Sequence, residues 1–258
     1  MMMTMKNNKN HFFFGYAGNK RNEFNPSYEE FKTLNNITTI YEPFCGTSAF
    51  SYFLSLKEPL KYKYILNDNN KHLINLYETA RDEEKLNNLI DKLNSLLVDM
   101  NKEKYLSIVK QDTLEGFIIG YKLYTIRPKL YPLDINFKTF NFNYLLKCPI
   151  MNFLKTENII FTCESVGTIS NIYNNENTFI FGDPPYLTEN NDFYSNKDFN
   201  IYEYLSNNDF NLLKCKIIFI LSDNWIIKLI FKNYIKKTYE KKYEVSKKKI
   251  NHFLISNF

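Results

Sequence analysis

The sequence predicts an α/β protein built on a parallel, Rossmann-like sheet. Apolar β-type runs alternate with helical patterns along most of the 258 residues. Two of those runs end in turns of proline, glycine and small residues, Glu42-Pro43-Phe44-Cys45-Gly46-Thr47-Ser48 and Gly182-Asp183-Pro184-Pro185-Tyr186. A third run ends in a carboxylate, Asp68. Ligands of α/β proteins bind beyond the carboxyl ends of the strands, so the same features mark the candidate site.

Taken in order, the chain starts with a polar segment, residues 1–11, read as a disordered tail. A loop follows, Phe12-Phe13-Phe14-Gly15-Tyr16-Ala17-Gly18-Asn19-Lys20-Arg21, in which two glycines and an alanine bracket an aromatic ring ahead of two cations. It reads either as a surface loop or as one that brings Tyr16 and Lys20 to a ligand. Tyr28–Leu34 has a helical pattern. Ile37–Glu42 is β-rich and runs through the first turn into a helix over Ser48–Leu56. Strand, tight turn and helix in that order place backbone close to a ligand at a helix N-terminus. The turn lacks the Gly-Lys-Ser/Thr of a phosphate loop and the three glycines of the dinucleotide fingerprint. Tyr62–Leu66 is the next strand. Asp68, just beyond it, suits either a ribose-binding carboxylate or the cap of the following helix.

Residues 71–124 read as helices, with Leu73, Leu76, Tyr77 and Ala80 on one face and Leu86, Leu89, Ile90, Leu93, Leu96 and Leu97 on another. Residues 127–143 mix aromatics with cations, which suits either contact with unstacked bases or ordinary packing. Strand patterns return at Asn158–Cys163 and Thr178–Gly182, with a helix between them over Val166–Tyr173. A polar stretch, Thr188–Asn200, is long enough for a flap. Helix (Ile201–Leu213), strand (Lys216–Leu221), helix (Trp225–Phe231) and a strand pair complete the alternation. The division expected is a catalytic domain of residues 1–70 and 150–258, interrupted by a helical insertion of residues 71–149.

Composition bounds the function. A hydrophobic content of 44% supports a full core. Phe (23) and Tyr (20) are abundant and Gly (7) is scarce, as expected of an A/T-rich gene, so a lone Asn, Lys or Tyr carries little information. A net charge of +5 permits a polyanionic partner, and the lysine-rich last 30 residues suit either a solvated surface or a phosphate footprint. The four cysteines form no CxxC pair and the three histidines show no ligand spacing, so reduced thiols, no metal and an intracellular, cytoplasmic protein are expected. The start of the chain carries no secretory pattern, and no apolar run reaches the ~18–20 residues of a membrane span.

The turn at 183–186 holds no nucleophile and no acid–base pair. It offers a carboxylate, a proline carbonyl and an aromatic plate, a set that suits an amino group on a planar ring. Four segments together resemble the Dam-like family of adenine-specific (N6) DNA methyltransferases: Tyr16-Ala17-Gly18-Asn19-Lys20, Glu42–Phe50, Tyr64–Asn70 with Leu73–Tyr77, and Asp183-Pro184-Pro185-Tyr186. The resemblance implies a sheet that binds S-adenosyl-L-methionine, with a helical target-recognition region inserted into it. It implies cofactor contacts from Tyr16, Lys20, Glu42, Phe44, Gly46, Asp68 and Asp183. It also implies that Asp183, Pro184, Pro185 and Tyr186 clamp the amine of an adenine flipped out of DNA, without a metal.

The chain departs from the family at three places. Ser48 replaces the second glycine of the first turn, Asn19 replaces another glycine, and Phe137–Asn143 lacks the glycine of the segment that precedes the 158–163 strand. RNA in place of DNA as the substrate, or a cofactor-binding subunit without activity, are therefore the alternatives.

Overall fold

The architecture follows from where the chain changes direction. The computed structural model describes residues 11–15, 23–122, 140–164, 166, 173–184, 209–242 and 249–258. Among them seven strands form one sheet: β1 (Thr39–Glu42), β2 (Lys63–Asn67), β3 (Ile159–Thr162), β4 (Thr178–Gly182), β5 (Lys216–Ser222), β6 (Ile235–Lys242) and β7 (Lys249–Ser256). Their spatial order is β3-β2-β1-β4-β5-β7-β6. The pairs β1–β2, β2–β3, β1–β4 and β4–β5 are parallel, whereas β7 runs antiparallel to both β5 and β6. The chain builds outward from β1 through β2 to β3, then returns to the other side of β1 with β4. The order therefore reverses between β1 and β4, the place where a doubly wound sheet opens a crevice for a ligand.

The central strands are buried on both faces and read as continuous apolar runs. In β4, Phe179 and Phe181 point to one face and Ile180 to the other. The first face is aromatic. Phe31 of α1 (Phe24–Phe31) meets Phe179 edge-on at 4.7 Å, and Phe50 of α2 (Ala49–Lys57) stacks on Phe181 at 4.4 Å with planes 10° apart. On the second face Tyr41, Ile65, Ile180, Ile217, Phe219 and Leu221 pack with Phe210, Ile227 and Phe231. The helix α1 begins before Pro26, ahead of the predicted start. A proline is accommodated in a first turn because those N–H groups have no intrahelical partner.

The chain divides into two units, Met1–Asn19 with Lys71–Glu157 and Lys20–Asn70 with Asn158–Phe258. The sheet lies in the second. In the first, α3 (Lys71–Arg81), α4 (Glu83–Leu97), α5 (Lys102–Val109), α6 (Leu114–Lys122) and α7 (Ile150–Leu154) bury Leu73, Leu76, Tyr77, Leu86, Leu93, Tyr105 and Ile118. Asp82 and Asn101 cap α4 and α5 by accepting from the Lys85 and Lys104 amides at 3.1 and 2.9 Å.

His11 is buried rather than part of a polar tail, and its carbonyl accepts from the Ile150 amide at 3.1 Å. Phe12, Phe13 and Phe14 are also buried, with Phe12 against Tyr77 and Phe14 against Phe117 and Tyr121. Residues 11–14 therefore belong with the helices rather than with the sheet. Of the aromatic-and-basic stretch, only 140–143 lie within the described residues. There Phe142 is core, and its amide is held by the Asn94 side chain at 2.8 Å.

The helix predicted over Ile201–Leu213 does not reach its expected end. Asp209–Leu212 is a turn, in which the Asp209 carboxylate accepts from the Asn211 amide at 2.9 Å and so replaces helical bonding. The rest of that helix, most of the one at 166–173 and the 188–200 stretch lie outside the described residues. The last helix, α8 (Trp225–Ile230), is capped by Asn224, whose side chain accepts from the Ile226 amide.

The C-terminal lysines have separate jobs. Lys236 and Lys237 lie exposed on β6, the sheet's edge, where charge opposes pairing with another chain. Lys249 pairs with Glu240, and Lys241 turns inward to the buried Glu23 at 2.6 Å. No described helix is long and apolar enough to cross a membrane, and no group of potential metal ligands occurs among the described residues.

Candidate active site

The site assembles at the carboxyl ends of β1, β2 and β4. After β1 the chain turns through Pro43–Ser48 into α2. Gly46 takes φ 48° there, a conformation that glycine adopts at no steric cost. Ser48, which stands where the family has a glycine, also lies in the left-handed region at φ 49° and ψ 37°. Its amide donates to the Cys45 carbonyl at 2.6 Å, which closes the turn. The left-handed conformation costs a serine backbone strain that a glycine would not carry.

Asp68 locks onto this turn. Its Oδ2 accepts from the Gly46 amide at 3.0 Å and its Oδ1 from the Asn70 amide at 2.9 Å. Burial nonetheless raises its pKa, with the two amides acting in the other direction. An ionised carboxylate has about four lone-pair sites. The two amides occupy one on each oxygen, which leaves acceptor capacity for a pair of vicinal hydroxyls. Asp68 thus fastens the first turn and bonds the residue just before α3, rather than an amide of the helix itself.

Glu42 faces inward. It is buried, and its Oε1 accepts from the Ser51 amide at 2.9 Å, in the first turn of α2. Desolvation pushes its pKa up to about 7, the Ser51 hydrogen bond opposes this, and the negative charge of Asp183 adds to the rise. The described partner of Glu42 is thus the frame of the turn. Phe44 is half-buried against the aromatic and aliphatic layer on the second face of the sheet.

The raised Glu42 pKa has a consequence for stability. The folded protein binds this proton up to about pH 7, whereas the unfolded chain releases it near 4.5. Folding therefore carries excess protons between those values, so this contribution to stability is full below about 4.5 and is lost as pH rises through 7. Glu42→Gln keeps an acceptor for Ser51 without the charge. Relative to the unaltered protein, its thermal midpoint is expected to match at pH 4 and to be several degrees higher at pH 8, from at most about 3 kcal/mol. A difference that stays constant across that range would rule out the titration of Glu42 as its cause.

Asp183 and Pro184 follow β4, next to β1. Asp183 is half-buried and Pro184 buried. Gly182 places them. A Cβ on Gly182 would overlap the ring of Phe219, the β5 residue paired with it. Phe219 is fully buried, so its ring has no space into which to move. Gly182→Ala is expected to lower stability by about 1–3 kcal/mol through overpacking, read as a drop in thermal midpoint. The displaced turn should lower activity further. Tyr16, Lys20, Pro185 and Tyr186 lie outside the described residues.

Two groups at the site escaped the sequence reading. Asn67, the last residue of β2, is buried and makes four side-chain hydrogen bonds. Glu164, beyond β3, has its backbone held by two of them. In a chain so rich in asparagine, neither composition nor spacing set Asn67 apart.

Comparison with known proteins gives the family. A match to the D12 class N6 adenine-specific DNA methyltransferases spans residues 16–147, just over half of the chain. It takes in the first turn and Asp68 and ends before Asp183. No curated protein matches the chain by sequence. Among solved structures, a SAM-dependent methyltransferase from Aquifex aeolicus is similar at 13% identity, over 93% of this chain and 94% of that one, with a TM-score of 0.38. With more than half its length matched, the chain belongs to the D12 class N6 adenine-specific DNA methyltransferase family.

Proposed function

We propose that this enzyme methylates the N6 amine of an adenine in DNA, with Asp183 and Pro184 as the acceptors that grip the amine. One observation supports this above others: the Asp183 turn ends β4 directly beside β1, at the reversal in strand order, within electrostatic reach of Glu42. The turns therefore end neighbouring strands, with Asp68 beyond β2 on one side of β1 and Asp183 beyond β4 on the other.

The adenine amine is a weak nucleophile because its lone pair is delocalised into the ring. A carboxylate and a carbonyl that accept its two N–H bonds pull the electron density back onto nitrogen. Asp183 and Pro184 are the residues for that task. By its place in the motif, Tyr186 stacks on the base once it has left the duplex. Asp68 would hold the ribose hydroxyls of S-adenosyl-L-methionine, with Phe44 and the Gly46 turn as further contacts and with Tyr16 and Lys20 assigned from the motif. When bound, the cofactor supplies an electrophilic sulfonium methyl. The residues contribute position and fixed charge, which carry most of the acceleration. The helical unit is assigned the reading of the surrounding DNA.

The test is transfer of a labelled methyl to matched DNA and RNA oligonucleotides. Label on DNA adenine is the expected result. Label on RNA adenine alone would move the substrate to RNA, and bound cofactor without transfer to either would make the chain a binding subunit.

A further inference from the structure

We infer that Asn67 is a positioning residue for the cofactor site, a conclusion that rests on reading the Asp68 turn as that site. Its side chain is 1% exposed. The amide Nδ2 donates to the Pro43 carbonyl at 3.0 Å and to the Glu164 carbonyl at 3.0 Å. The amide Oδ1 accepts from the Thr162 hydroxyl at 2.8 Å and from the Glu164 amide at 2.9 Å. All four of its hydrogen-bonding positions are filled. Only one orientation of the amide allows this, since the reverse would set its oxygen against two carbonyl oxygens.

These bonds join three chain segments. Asn67 bonds both the N–H and the C=O of Glu164, as a backbone partner would, and so extends the β2–β3 pairing beyond the end of β3. Its Pro43 bond fastens the start of the first turn. Its own carbonyl accepts from the Cys45 amide at 2.8 Å, and the next residue, Asp68, takes the Gly46 amide. Asn67 and Asp68 thus hold the turn at Pro43, Cys45 and Gly46 in succession. The two residues divide the work. Asp68 presents acceptors to the ligand, whereas Asn67 is enclosed and touches only protein. Without Asn67, Pro43 and Glu164 would lose their side-chain partner, and the turn would lose one of the three bonds that set its distance from Asp68.

Asn158 supplies the control. It lies at the other end of the same sheet, where its side chain donates to the Tyr62 carbonyl. The experiment measures the thermal midpoint and the Kd for S-adenosyl-L-methionine of full-length Asn67→Ala, Asn158→Ala, Thr162→Val and Asp68→Ala. Asn67→Ala is expected to raise the Kd tenfold or more, and Thr162→Val two- to fivefold by removing one bond to Asn67. Asn158→Ala should lower the midpoint and leave the Kd within twofold. An unchanged Kd in Asn67→Ala overturns the inference, as does an equal loss of affinity in Asn158→Ala. Should Asn67→Ala fail to fold, Thr162→Val decides: an unchanged Kd there overturns the inference too. An Asp68→Ala protein that binds like the unaltered one would instead show that the site itself has been misread.

Discussion

Asp183→Ala is expected to fold, to bind S-adenosyl-L-methionine and to transfer methyl groups about 10³-fold more slowly. The magnitude follows from losing a preorganised group aimed at the reacting atom, which typically accounts for 10²–10⁴ in rate. The fold should survive because Asp183 is half-buried at a strand end rather than in the core. Stability can even rise. The charge of Asp183 is one cause of the raised Glu42 pKa, so its removal relieves a buried carboxylate beside it. The variant should therefore be slightly more stable than the unaltered protein at pH 8, with the gain shrinking towards pH 5. Asp183→Asn separates charge from shape. It retains one acceptor oxygen but sets an N–H donor against the amine, so it should fall between the two. Single-turnover transfer to an adenine-containing duplex reads the rate, and a thermal scan reads the fold. An Asp183→Ala protein with full activity would remove the clamp from the mechanism, whereas an unfolded one would reassign Asp183 to the frame.

The parts of this molecule most legible from sequence were those in which one residue type has one physical meaning. Apolar runs that stop at Pro43, or just ahead of Pro184 and Pro185, marked strand ends because proline cannot pair. Leucines at helical spacing marked α3 and α4. What escaped depended on partners distant in the chain. Phe12–Phe14 look like a loop until Tyr77, Phe117 and Tyr121 are placed beside them. The end of the helix expected at 213 gave way to Asp209, whose carboxylate bonds its own backbone. The bond from the Ser51 amide to the Glu42 carboxylate, nine positions away in the chain, was likewise not readable from the sequence. Asn67 was masked by the abundance of asparagine, and the three residues it bonds lie 24, 95 and 97 positions away.

Asp68→Ala is expected to weaken binding of S-adenosyl-L-methionine about 100-fold. A hydrogen bond to a charged group contributes about 1.5–3 kcal/mol, and two ribose hydroxyls would each make one. At 1.4 kcal/mol per factor of ten, even the lower figure yields two decades. The same substitution removes the Asp68 bonds to the Gly46 and Asn70 amides, so the turn at φ 48° loses one of its three ties to Asn67 and Asp68. Asparagine is not a conservative replacement here. Each carboxylate oxygen already faces a backbone N–H, Gly46 on one side and Asn70 on the other. An amide must set its NH₂ against one of them, so Asp68→Asn should lose at least tenfold. The kinetic signature differs from that of Asp183. Asp68 does not grip the amine, so kcat at saturating cofactor should stay within a few fold while KM for the cofactor rises. Titration calorimetry with cofactor and steady-state kinetics over a wide cofactor range separate the two. A collapse of kcat with unchanged KM would place Asp68 in the chemical step. An unchanged Kd would leave it as a fastener of the Gly46 turn alone, and the ribose would then need another acceptor.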